Sequence, residues 1–281
     1  MIRQVLRKIC LRIASFLRPR AERVPVCIPI LETQLLKGRR ALITGGTSGI
    51  GYGIAKAFLR AGADVVITGR NAKRVAQARS ELLTSCSVEE RRVAAVEMDM
   101  TDVDSFEAIV GALGDFDILV NNAGVADCSR FGEVKTVDYD NVLDVNLRGP
   151  FLLAQVVAKS WISKKVHGNI LNICSASSKR PGVSPYILSK WGLRALTKGL
   201  AKLLIRHDIV VNGLAPGLTD SPMFFKDKPT SLTNESNPSG RLVTVDELAN
   251  LAVILTSSLC RMVVGDVLYA TGGAAIFTFD D

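Results

Sequence analysis

Tyr186 and Lys190 stand four residues apart in Tyr186-Ile187-Leu188-Ser189-Lys190, and Ser175 lies a short loop upstream. Residues four apart on a helix share a face, so the Lys190 ammonium can reach the Tyr186 phenol without any long-range coincidence. A free phenol titrates near ~10 and is a poor base at neutral pH, but a neighbouring cation favours the phenolate and draws that value down. With a serine hydroxyl as a further donor, three such groups can move a proton to or from a carbonyl or alcohol oxygen. The spacing alone is weak, because a tyrosine and a lysine four apart usually form a solvated surface pair. The elements around them decide.

A second motif lies far upstream, where Thr44-Gly45-Gly46-Thr47-Ser48-Gly49-Ile50-Gly51 joins the apolar run Ala41-Leu42-Ile43 to a helix beginning near Gly49. That helix carries Ile50, Ile54, Ala57 and Phe58 close to helical period. Glycines let the backbone turn tightly and approach a pyrophosphate, which rests on the positive end of the helix. The strand before and the helix after separate this turn from a chance glycine-rich segment. The next strand, Ala63-Asp64-Val65-Val66-Ile67-Thr68, ends in Gly69 and Arg70. An NAD site places a carboxylate there for the ribose 2′-hydroxyl. With no carboxylate and a guanidinium suited to paired, charge-assisted bonds to a 2′-phosphate, the sequence favours NADP(H) over NAD(H). The plain alternative for Arg70 is a surface residue opening a helix.

Strand-like runs at about 41–44, 64–68, 93–97, 116–120, 168–174, 208–213 and 266–270 alternate with helical stretches. This predicts an α/β fold, a doubly wound parallel sheet of the Rossmann type with helices on both faces. With 281 residues and 48% apolar content the chain can bury a substantial core in one domain, and no Pro-, Gly- or Ser-rich linker marks a second. The expected organisation is a basic amphipathic extension over 1–37 and a catalytic domain over 38–281. Residues 219–241 contain three prolines and Met223-Phe224-Phe225. This least regular stretch reads as a substrate lid or as a plain surface excursion.

Together these residues resemble the short-chain dehydrogenase/reductase family over residues 38 to about 277, with spaced motifs in family order. Gly45, Thr47, Ser48, Ile50 and Gly51 match the family's cofactor turn. Asp99, next to Met100, looks like the aspartate that meets the adenine ring. Asn122, Ala123 and Gly124 match the Asn-Asn-Ala-Gly segment that follows the strand Phe116-Asp117-Ile118-Leu119-Val120. Asn146 looks like the helix asparagine that holds a water in the proton relay. Ser175, Tyr186 and Lys190 match the catalytic set, in which the lysine also holds the nicotinamide ribose. Pro216, Gly217 and Thr219 match the loop that closes over the nicotinamide carboxamide. Each keeps a structural alternative: a strand cap for the asparagines at 121 and 122, a buried amide bonded to backbone for Asn146, an ordinary turn for Pro216 and Gly217.

Two departures from the family stand out. Ser175 lies eleven residues before Tyr186, closer than is common in the family, and Ser177 and Ser178 are nearby rivals. Ser175 is preferred because it ends the strand Gly168-Asn169-Ile170-Leu171-Asn172-Ile173-Cys174, and ligands in such sheets lie beyond the carboxyl ends of the strands. Thr271 replaces the family's common aspartate ahead of Gly272 and Gly273. The stretch from Val245 to Gly273 resembles the part that family members use to form dimers and tetramers, so a homodimer or homotetramer is implied.

Six cysteines (Cys10, Cys27, Cys86, Cys128, Cys174, Cys260) show no Cys-x-x-Cys pair and read as reduced small hydrophobes of a cytosolic-type compartment. The two histidines, His167 and His207, have no metal-ligand spacing, so neither a metal site nor a histidine-based nucleophile is expected.

Residues 1–40 hold ten of the 35 Lys and Arg and two of the 27 Asp and Glu, so the net charge of +8 belongs to this segment and the rest is balanced. Ile2, Val5, Leu6, Ile9, Ile13, Phe16 and Leu17 fall at helical spacings among the arginines. That pattern fits a helix of residues 1–20 lying on an anionic membrane surface. The alternatives are an organellar presequence, a helix packed on the domain and a disordered basic arm. With Phe16 as its one aromatic residue and no binding fold, the segment does not read as a nucleic-acid binder. The expected location is the cytoplasm, peripheral at a membrane, or an organellar matrix if the segment is a presequence.

The function read from these features is NADP(H)-dependent hydride transfer between nicotinamide and a small-molecule carbonyl or secondary alcohol. The resemblance points nearest to 3-oxoacyl thioester (acyl-carrier-protein) reductases. The alternatives are a steroid- or sugar-type alcohol dehydrogenase and a non-catalytic nucleotide-binding or scaffold protein of the same fold.

Overall fold

Seven short strands of mostly apolar, β-branched residues alternate with amphipathic helices in a computed structural model that describes residues 34–126, 129–225 and 232–275. The extension up to residue 33, Cys10, Cys27, Cys128 and residues 226–231 of the expected lid lie outside the described residues. The strands are β1 (Arg40–Ile43), β2 (Asp64–Gly69), β3 (Val93–Glu97), β4 (Ile118–Asn121), β5 (Asn169–Ile173), β6 (Val210–Pro216) and β7 (Val267–Ala270). The helices are α1 (Gly49–Arg60), α2 (Ala72–Cys86), α3 (Phe106–Ala112), α4 (Thr136–Leu143), α5 (Gly149–Lys164), α6 (Pro185–Leu204) and α7 (Val245–Thr256).

All seven strands pair in parallel, in the order β3-β2-β1-β4-β5-β6-β7. Parallel neighbours need crossovers, which the helices supply, and the sheet is therefore covered on both faces. Side-chain alternation along the strands divides the core. Ala41 and Ile43 of β1, with Val65 and Ile67 of β2, pack against Ile54 and Phe58 of α1 and Leu248 and Ala252 of α7. Leu42 and Val66 point the other way, into a layer with Phe106 of α3 and Leu153, Val157 and Trp161 of α5. Strands β5 and β6 are buried along their whole length.

Local chemistry starts and stops these helices. Asn71 caps α2 by accepting from Arg74 N at 3.0 Å, and Ser184 caps α6 with Pro185 in its first turn. Thr244 and Glu247 form a capping box at α7. Between α4 and α5, Asp144–Arg148 is a π turn. Its neighbour Pro150 has no N–H, so the carbonyl of Asn146 is without its ordinary helical donor four residues on.

Leu36, placed in the extension by the sequence motifs, is fully buried, and its N–H donates to Ala61 O at 2.9 Å. Arg39 and Arg40 also belong to the sheet. Arg39 forms an ion pair with Asp117 and donates to Asn169 Oδ1 at 2.9 Å, while Arg40 donates to Leu113 O at 2.6 Å. Two of the ten cations of residues 1–40 are therefore structural parts of the domain. Among the described residues no helix is long and apolar enough to cross a membrane.

Candidate active site

The strand order reverses between β1 and β4, and their carboxyl ends open a crevice at that switch point. Thr44 closes its base. Its Oγ1 accepts from Asn122 N and from Ala123 N, each at 3.0 Å. Asn122 Nδ2 in turn donates to Thr44 O at 2.9 Å and to Gly45 O at 3.1 Å. The turn is thus tied to the end of β4 while its peptide edges face the crevice. Gly45 has φ +64°, which a side chain would strain, and a Cβ on Gly51 would overlap Asn122 Nδ2 and Gly45 O. Ser48 makes no capping bond with its side chain, so the N-terminus of α1 offers its first N–H groups to an anion.

At the end of β2, Arg70 is exposed and lines the crevice with Asn71 and Arg74. Two guanidiniums therefore share this corner beside the N-terminus of α2. The sequence reading named Arg70 and did not name Arg74, which lines the same corner. Asp99 sits after β3, where its Oδ1 accepts from Thr101 N and Thr101 Oγ1, each at 2.9 Å.

On the other side, Ser175 lies two residues past the end of β5 and is buried, with its Oγ accepting from Ser177 N at 3.1 Å. Of its rivals, Ser178 is fully buried and donates to Ser175 O at 2.7 Å, so its hydroxyl is committed to the backbone. Tyr186 lies half-buried in the first turn of α6. Lys190 is 4% exposed, its Nζ is 5.8 Å from the centre of the Tyr186 ring, and it donates to Ile173 O at 2.9 Å. Asn146 is fully buried; its amide accepts from Val125 N at 2.8 Å and donates to Val125 O at 2.9 Å and Ser189 Oγ at 3.1 Å. The Asn146 side chain is therefore spent on positioning, and any water it serves must meet its main-chain carbonyl. Gly124 lies between these groups: a Cβ there would be 3.3 Å from Asn146 Oδ1 and 3.8 Å from Lys190 Nζ.

One cleft of about 1200 Å³ unites these parts. Gly45, Thr47, Ser48 and Ile50 line its middle, Arg70, Asp99 and Met100 one end, and Asn122, Ala123, Gly124, Ser175, Tyr186, Lys190, Pro216, Gly217 and Thr219 the other. Gly51 and Asn146 support the wall from behind. Met223 and Phe224, from the described part of the expected lid, also line it. Thr271 is buried, its carbonyl accepts from Asn237 Nδ2 at 3.0 Å, and Gly217 approaches its backbone so closely that a Cβ would lie 2.9 Å from Thr271 Cα. Position 271 thus ties the lid segment to the end of the sheet. Burial pushes the Cys174 thiol up to about 11, which keeps it protonated and unreactive beneath Ser175.

The glycine turn, the free first turn of α1 and the paired arginines fit a dinucleotide phosphate, and the Ser175, Tyr186 and Lys190 side fits proton exchange with a substrate oxygen. Comparisons with known proteins identify the family. The family model described as short chain dehydrogenase matches residues 39–231. Gluconate 5-dehydrogenase of Gluconobacter oxydans (strain 621H) is 36% identical over 251 residues, covering 86% of this chain and 96% of that protein. Among solved structures, a gluconate 5-dehydrogenase from Burkholderia cenocepacia J2315 in complex with NADP and tartrate is 33% identical, with TM-score 0.79 over 88% of this chain and 99% of that one. A 3-ketoacyl-(acyl-carrier-protein) reductase from Brucella melitensis complexed with NADH is 32% identical, with TM-score 0.76 over 86% and 100% of the two chains. The chain belongs to the short-chain dehydrogenase/reductase family, enzymes that act on CH–OH and carbonyl groups with a nicotinamide cofactor.

Proposed function

We propose that this protein interconverts a carbonyl and a secondary alcohol with NADP(H), using Tyr186 as the proton donor and acceptor. The observation that carries this reading is the buried Lys190 ammonium held behind the Tyr186 ring, in one cleft with Ser175 and the glycine turn. Gly45, Thr47, Ser48 and the first turn of α1 would hold the cofactor's pyrophosphate, and Arg70 and Arg74 its 2′-phosphate. When bound, the nicotinamide supplies or takes up the hydride.

Ser175 and Tyr186 donate hydrogen bonds to the substrate oxygen and orient its carbon. In the reducing direction the Tyr186 phenol gives its proton to the developing alkoxide, and the Lys190 cation stabilises the charge left on the phenol oxygen. A water between Lys190 and the main-chain carbonyl of Asn146, to which Pro150 cannot donate, returns a proton from solvent. The oxidising direction uses the same groups in reverse. This complete arrangement favours catalysis over the scaffold alternative, which has no need of it.

The serine side of the cleft presents Ser177, Arg180 and Ser184. That polar wall favours an oxygen-rich, sugar-type substrate over the 3-oxoacyl thioester. Exposed apolar residues on α5 and α6, among them Phe151, Ile162, Leu188 and Trp191, support a homo-oligomer. The deciding experiment is Tyr186→Phe, in which turnover should fall by about 10²–10⁴-fold with NADPH affinity retained; wild-type turnover in that variant would refute the assignment.

A further inference from the structure

The loop between Ser175 and Tyr186 is short, and other elements pin it in place. Residues Ala176–Lys179 wind into one 3-10 turn. Because the Ser178 hydroxyl donates to Ser175 O, the Tyr269 hydroxyl is the donor in its 2.9 Å contact with Ser178 Oγ. Arg194 Nη1 donates to Ser178 O, and Trp191 Nε1 donates to Arg180 O, each at 2.9 Å. Helix α6 and strand β7 thereby fix the backbone on which Arg180 is carried.

Arg180 itself lines the cleft together with Ser175 and Tyr186. Its guanidinium makes no hydrogen bond or ion pair among the described residues, in contrast with Arg39, Arg92 and Arg241, each matched to a carboxylate. The one carboxylate among the described lining residues, Asp99, belongs to the far end beside β3. Among the described residues, the substrate end thus presents an exposed cation on a fixed backbone and no anion to match it.

We propose that Arg180 is a specificity-determining residue that binds the carboxylate of a short hydroxy or oxo acid while Ser175 and Tyr186 hold the reacting oxygen. This rests on the catalytic reading above and adds the substrate's charge to it. A planar guanidinium meets a carboxylate through two parallel hydrogen bonds, and the pinned loop has little backbone freedom to lose on binding. A carrier phosphate would offer similar anionic chemistry, so the test separates the two.

Calorimetry on the full-length protein saturated with NADPH, with which these alcohols cannot react, compares D-gluconate, its neutral counterpart D-glucitol, and 4′-phosphopantetheine. The wild type is expected to bind gluconate at least about tenfold more tightly than glucitol. Arg180→Gln should weaken gluconate by about 10- to 100-fold, leave glucitol and NADPH unchanged, and be partly rescued by Arg180→Lys. Equal binding of gluconate and glucitol by the wild type, binding of neither, an equal loss of both in R180Q, or an effect confined to phosphopantetheine overturns the proposal. Turnover of Y186F decides the underlying reading separately: an inactive Y186F with an unaltered gluconate preference in R180Q would remove this inference alone.

Discussion

Arg70 and Arg74 show how a single side chain's role depends on a neighbour's cap. Arg70 follows β2 by chain order and was legible there. Arg74 joins it in the first turn of α2, which the Asn71 cap begins, and lines the same cleft. Together they predict the cofactor preference. Replacing both by Ala should raise KM for NADPH by about 10- to 100-fold, with NADH changed by less than about threefold, as measured by initial rates with each cofactor. Equal effects on the two cofactors would dismiss a 2′-phosphate site. For Asn146 the sequence offered two roles, a holder of water and a buried amide bonded to backbone; its burial and its paired bonds to Val125 make the side chain a brace and leave the main-chain carbonyl for the proposed water.

Strands β1 and β4 deliver their ends to the glycine turn, where the Thr44 hydroxyl ties them together. Thr44→Ala would leave the N–H groups of Asn122 and Ala123 without their acceptor, a loss of about 2–4 kcal/mol. The expected readout is a Tm lower by several degrees and weaker NADP binding, with Thr44→Ser close to wild type. At α7, Arg241 beside Glu247, with the Thr244 N–H, holds the Glu247 carboxyl at about 2, against an ordinary value of 4.5. A carboxyl lowered in the folded state stabilises fully above about 4.5, and that contribution disappears as pH falls towards about 2. Thermal melts of the wild type should therefore weaken across this window more than those of Glu247→Gln, which keeps the cap but not the charge. Parallel pH profiles for the two would exclude the ion pair as the cause.

At the scale of the whole molecule, a cationic segment precedes a catalytic domain that is charge-balanced from residue 41 onward. Leu36 is buried and Arg39 and Arg40 belong to the sheet, so a deletion meant to remove the extension must stop before Leu36. Removing residues 1–34 is expected to preserve kinetics and abolish sedimentation with anionic liposomes, if the amphipathic pattern of residues 1–20 acts as read; full cosedimentation of the shortened protein would discard the membrane role. The domain's architecture needed little beyond alternation. Seven apolar runs separated by helices leave few parallel topologies, and the observed order places the switch point at the glycine turn.

The sequence by itself determined the strand and helix alternation and the glycine turn, and it pointed to the proposed Tyr186, Lys190 and Ser175 set, because each depends on local periodicity or short spacing. Tertiary structure alone decided what long-range contacts control. Of the serines at 175, 177 and 178, Ser178 is committed by its bonds to Ser175 O and the Tyr269 hydroxyl, which favours Ser175 as the proposed site serine. Thr271 proved to be a tie for Asn237, because β7 ends where the lid segment returns. Arg180, an ordinary loop residue in sequence, faces the cleft because Trp191 and Arg194, from the helix that also carries Tyr186, hold its loop in one shape.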